Sequence, residues 1–191
     1  MTVLLLGLIL FLGVHSVRIF AEGWRTKQIA QRGEGAWKGI YSVLSIAGFV
    51  LIVWGYGLAR QDPVILWTPQ LWARHLASLL TLVSFILLVA AYVPKNGIKA
   101  RVHHPMVLAV KVWALAHLLA NHTLADLLLF GSFLVWAVLD YRAARARDRA
   151  GQVSYAPGTF GATAITVAVG GVAWAAFAMW LHAMLFGVRP F

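Results

Sequence analysis

Two histidines lie inside apolar stretches of membrane length. His15 follows LLLGLILFLGV, and His117 sits within MVLAVKVWALAHLLA. An ionisable side chain at membrane depth is costly and as a rule faces the bundle interior, so each is a functional-site candidate. Imidazole is also a common axial ligand of haem iron. Arg18 and Glu22 follow His15 at i+3 and i+7, which on one continuous helix gives a shared face. That stripe reads either as a packing network, with Arg18 and Glu22 reaching the interface, or as a ligand or proton site with Arg18 as charge clamp.

On the second stretch, Trp113 precedes His117 by one turn, and Lys111 is a cation that needs a carboxylate partner, from protein or from a haem propionate. At 1.5 Å per residue, His117 lies roughly 16–20 Å above the cytoplasmic end and His15 roughly 10 Å above it. Two helices flanking a tilted macrocycle would use that difference. A direct hydrogen-bonded histidine pair would use it too. His103, His104 and Pro105 open the same segment. Proline suits a first helical turn, and the helix start there is either a plain interface or a place for an anionic group. His75, His122 and His182 gather with Asp126 near the outer face. Zinc or copper could use such a set, but the spacing matches no closed site. Asp140, at the inner end of its span, is placed by depth to pair with Arg18 or Lys111.

Composition fixes the setting for these groups. The chain has 191 residues, 61% hydrophobic and 12% charged, with a mean hydropathy of +0.80. Soluble domains are about half apolar and a quarter charged. The composition is that of a polytopic membrane protein, all-α, in one domain over 1–191. With no cysteine, disulfides, iron–sulfur ligation and thiol nucleophiles are excluded. Six apolar segments reach or approach the ~20 residues a span requires, at 2–21, 40–60, 71–93, 105–121, 123–141 and 162–187. Asn121, His122 and Thr123 join the fourth and fifth as a tight hairpin. QRGEG (31–35), Pro94 with Gly97, and APG (156–158) mark loops. QDPVILWTP (61–69) is an outer loop, with Trp67 and Trp72 at headgroup level.

Eleven basic residues fall in the loops after spans one, three and five, against three on the other side. This bias places both termini outside and the basic loops in the cytoplasm, and the first span reads as a retained segment rather than a cleaved signal. It also explains the net charge of +10 through topology and anionic lipid headgroups. Nucleic acid is therefore not an expected partner. Membrane lipid is, alongside a possible small-molecule ligand or membrane redox partner. The motifs of soluble catalysis, G-x-S-x-G, H-E-x-x-H, the P-loop and G-x-G-x-x-G, are absent.

The segments HSVR (15–18), HHPM (103–106), VWALAHLLAN (112–121) and LFGSFLVWAVLD (129–140) resemble those of the NnrU family. This is a bacterial integral-membrane family named from denitrification gene clusters. It is similar to plant 15-cis-zeta-carotene isomerase, a membrane haem b protein. The resemblance implies a haem b site in a bacterial inner membrane, with His15 and His117 as axial metal ligands. Arg18 and Lys111 would then hold propionates, and Trp113 would pack on the macrocycle. It also implies a role for His75. Ala114 stands where the isomerase carries a cysteine linked to ligand switching, so a thiolate-switched carotenoid isomerisation is not expected here. Redox chemistry, other isomerisation and gas sensing linked to nitrite or nitric oxide metabolism stay open, as does whether the chain is an enzyme. Two further readings remain. One is a non-enzymatic assembly subunit with hydrogen-bonded histidines. The other is a membrane methyltransferase, since the His-Pro opening resembles the isoprenylcysteine type. The arginine that type carries before the motif is replaced by Val102 and His103.

Overall fold

The computed structural model describes residues 1–68 and 70–190 and is helical throughout. Pro69, in the expected outer loop, lies outside the described residues. The helices are α1 (Thr2–Phe20), α2 (Glu22–Arg32), α3 (Glu34–Ala59), α4 (Leu71–Tyr92), α5 (Gly97–Val102), α6 (Pro105–Ala120), α7 (Leu124–Ala150) and α8 (Phe160–Ala176). A π-helical turn, Phe177–Leu181, continues α8 into α9 (His182–Phe186). Helices α1, α3, α4, α7 and the α8–α9 rod are long and apolar enough to cross a membrane. Helix α6, at 16 residues, is about 24 Å long, short of the ~30 Å hydrocarbon core. The chain is a multi-pass membrane protein, and exposed Ile9, Val43, Ile46, Phe49 and Val53 are what a lipid-facing surface requires.

Two of the expected basic loops are helical. Residues 22–32 form α2, amphipathic and with no buried residue. The stretch carrying Arg142, Arg145, Arg147 and Arg149 is a continuation of α7 beyond the span. Arg, Lys, Gln and Ala are good helix formers, and beyond the apolar span the helix is free to run on. Helix α1 ends at Phe20 and Ala21 turns the chain (φ −136°, ψ 36°). Glu22 therefore opens a new helix, and the single-helix stripe of His15, Arg18 and Glu22 is broken.

The helices adjoin one another in the order α3, α1, α7, α6, α4, α8. Lipid offers no hydrophobic drive between helices, so close approach depends on small residues. Gly48 and Gly55 of α3 lie against the backbones of Phe11 and Leu4 of the antiparallel α1, where a Cβ would collide. Helices α4 and α6 pack together, with Ala73 and Ala77 of α4 and Ala109 and Ala116 of α6 buried and Ser84 donating to the Ala109 carbonyl at 2.9 Å.

The expected hairpin is present. Thr123 caps α7 in a reciprocal capping box with Asp126. Asp126, only 5% exposed, accepts further hydrogen bonds from the Thr123 hydroxyl at 2.7 Å and from the Tyr56 hydroxyl of α3. A buried carboxylate with every contact to a donor is a satisfied one, so Asp126 ties α3 to the start of α7.

Candidate functional site

His15 and His117 lie on α1 and α6, and both helices pack on α7. The two imidazoles are held identically. His15 Nδ1 is 2.7 Å from the carbonyl of Phe11, and His117 Nδ1 is 2.8 Å from the carbonyl of Trp113. A carbonyl only accepts, so Nδ1 carries the proton in each ring, and the neutral imidazole keeps its lone pair at Nε2. Neither Nε2 has a hydrogen-bond partner among the described residues, and neither is sealed from the surface. A ring oriented through Nδ1 with an open Nε2 is the arrangement of a metal-ligating histidine. The alternative of a directly hydrogen-bonded histidine pair is corrected by these contacts.

Both imidazoles lie against α7. His117 stacks on Phe130 (4.6 Å between ring centroids), and His15 meets Trp136 edge-on at 6.0 Å. Six residues along α7 separate those two contacts, about 9 Å of rise. Phe133 lies between, 5.8 Å from Phe11 and 5.6 Å from Trp113. Phe11 stacks on His15 at 4.1 Å, and Trp113 lies 5.1 Å from His117. The result is a continuous aromatic wall running from one imidazole to the other. Phe130, Phe133 and Trp136 recur at every third residue of LFGSFLVWAVLD, a spacing that offered the only sequence signal for this wall.

The other residues separate into two groups. Lys111 is half-buried on α6 with no hydrogen-bond or ion-pair partner among the described residues. Arg18 is at the end of α1, its side chain 58% exposed and 3.8 Å from Glu22. Asp140 pairs with Arg147 at 4.0 Å, not with Arg18 or Lys111, because the extension of α7 brings Arg147 two turns on. Trp136 Nε1, beside His15, is buried without an acceptor, an unusual state for an indole N–H. In α9, His182 Nδ1 bonds the Val188 carbonyl, and among the described residues no three His, Asp or Glu side chains are grouped to hold a metal ion.

A comparison with protein families matches residues 3–190 to the NnrU protein family. The chain belongs to the NnrU family. Comparisons with curated proteins and with solved structures find no match. Family membership thus covers nearly the whole chain, including the last helix that carried no motif of its own.

A haem fits the chemistry of this NnrU protein's residues on three observations. Two imidazoles present unshared Nε2 lone pairs, an aromatic wall joins them, and two unpartnered donors, Lys111 and Trp136, stand on the helices that carry and flank them.

A second polar cluster lies where the end of α7 meets the link between α5 and α6. Asp148 Oδ2 accepts from His104 Nε2 at 2.8 Å, Arg145 at 3.0 Å and the Tyr155 hydroxyl at 3.1 Å. Burial and the bond to Asp148 raise Tyr155 above its ordinary value, so it stays a donor. His103, edge-on to Tyr155 at 4.3 Å, is held below its ordinary value by burial and then by Arg145. His103 has φ 66° and ψ −51°, and His104 N–H bonds the Val102 carbonyl at 2.8 Å. That is a γ-turn of the rare, strained kind.

Proposed function

We propose that this NnrU protein is an integral-membrane haem b protein with His15 and His117 as axial ligands. The observation that carries the reading is the matched pair of imidazoles, each oriented through Nδ1 and open at Nε2. Lys111 would pair with a propionate, which gives a half-buried cation the partner it otherwise lacks. Arg18 would serve a propionate nearer the cytoplasmic surface, in exchange for its long contact with Glu22. Trp113 packs beside His117 and would meet the macrocycle face. Haem in this place would supply one-electron chemistry and, where one axial position opens, a site for nitric oxide.

The test is a pyridine haemochrome assay on protein purified after haem-supplemented expression. About one haem per chain is expected, as one iron takes both ligands. A colourless protein would favour an assembly subunit instead. Sensing or reduction linked to nitric oxide is the finer part of the proposal. It requires nitric oxide to shift the spectrum of the reduced protein, and an unchanged spectrum would remove that part alone.

The proposed setting is a bacterial inner membrane with both termini outside and the basic segments in the cytoplasm. A chain without cysteine makes this directly measurable. With a membrane-impermeant maleimide on cells whose outer membrane is opened, Asp62→Cys should label and Lys38→Cys should not. Labelling in the reverse sense would invert the topology.

A further inference from the structure

Away from the two ligand histidines, a cleft of about 190 Å³ opens where the end of α4, helix α5 and the first turn of α6 meet. Its walls include Lys99, His103, His104 and Met106. A water's share of the liquid is ~30 Å³, so the space takes a tetrahedral oxyanion with its first substituent.

The polar groups there are donors with capacity to spare. Lys99 Nζ gives one hydrogen bond to the Ala91 carbonyl at 3.0 Å, and an ammonium has two more to give. Neither ring nitrogen of His103 has a hydrogen-bond partner among the described residues; Nδ1 is buried and Nε2 is open to the surface. The Met106 and Val107 amides, in the first turn of α6, have no backbone acceptor, and His104 gives that helix no side-chain cap. The one carboxylate in contact with this cluster, Asp148, is occupied by His104, Arg145 and Tyr155. It holds His104 in place as part of the wall and leaves Lys99 and His103 uncommitted.

We infer that this cleft is a binding site for a phosphate-type anion, with Lys99 supplying charge, His103 a ring donor and the α6 amides the remaining contacts. The apolar Ala91, Pro105 and Val107 suit the carbon attached to a phosphate ester. The anion is either a free phosphate compound or the headgroup of an anionic phospholipid. The inference stands apart from haem binding and shares no residue with it.

The experiment uses the full chain in phosphatidylcholine nanodiscs. Inorganic phosphate is titrated by calorimetry, and retention of phosphatidylglycerol is read separately by native mass spectrometry. Lys99→Met and His103→Gly should each weaken binding about tenfold or more, the scale of one lost charge-assisted contact. Arg101→Met should change it less than about twofold, because Arg101 is exposed and does not line the cleft, so salt screens its charge. His103→Gly keeps the fold in question to a minimum, because glycine adopts the φ of +66° without the penalty histidine meets. Phosphate binding that follows this pattern identifies a soluble ligand. Phosphatidylglycerol retention that follows it, without phosphate binding, identifies a lipid headgroup. If neither probe distinguishes the wild type from Lys99→Met, the site does not exist.

Discussion

Replacing His117 or His15 with alanine should strip the protein of haem and leave its helical bundle intact. Each imidazole is hydrogen-bonded only to the carbonyl of its own helix, four residues back. Removing it costs ring contacts to α7 but breaks no hydrogen bond between helices, and alanine is the best helix former. What is lost is an Nε2 lone pair. Loss of a partner that merely orients a ligand costs roughly 10–100-fold in metal affinity, and loss of the ligand itself should cost more. Haem per chain should fall to about a tenth or less at the haem supply that saturates wild type, since a tenfold change is only ~1.4 kcal/mol. Helicity and elution volume should stay unchanged. A variant that keeps its haem, or that loses haem only by unfolding, would count against the assignment.

Gly55→Val should have the largest effect on stability. Glycine there lets the backbones of α3 and α1 approach so closely that even a methyl group would collide with Leu4. The collision is with main chain, so no rotamer change relieves it. Overpacking of this kind costs about 1–3 kcal/mol, occasionally more, and in lipid no hydrophobic drive offsets it. Gly57, one residue pair along and with nothing within 4 Å of an added Cβ, is the control. Gly57→Val should stay within about 0.5 kcal/mol. Thermal unfolding in detergent measures both. Equal melting temperatures for the two variants would mean that α1 and α3 do not pack as described. The same variant should also loosen haem, since Phe11, which supports His15, is pinned against Gly48 on that interface.

The spans were legible because hydropathy reports on the length of apolar helix, which is a local property. The hairpin at 121–123 was legible for the same reason. The neighbour order was not. Nothing in the sequence says that α7 packs against both α1 and α6, because small-residue contacts such as Ser84 against Ala109 carry no partner label. Basic segments were read as loops on charge, although Arg142 to Ala150 continues a helix. That error moved Asp140 onto the wrong cation, since Arg147 is in reach only if the helix continues.

At the candidate site, His15 and His117 stand out in the sequence as imidazoles in apolar runs. Their supporting rings do not. Phe130, Phe133 and Trp136 are ordinary residues for a membrane helix, and only the packing of three helices makes a wall of them. The γ-turn at His103 was equally hidden. HHP reads as a helix start, and the strain arises from the short link between α5 and α6, where Val102 accepts from both His104 and Tyr141.

The most direct test of the haem assignment is the difference spectrum, dithionite-reduced minus oxidised, of the purified wild-type protein beside His15→Ala and His117→Ala. The proposed haem site predicts a low-spin b-type spectrum in the wild type, with two imidazole ligands, that is abolished or converted to high spin in each variant. A wild type without a haem spectrum, or one that persists unchanged in both variants, would contradict the assignment of His15 and His117.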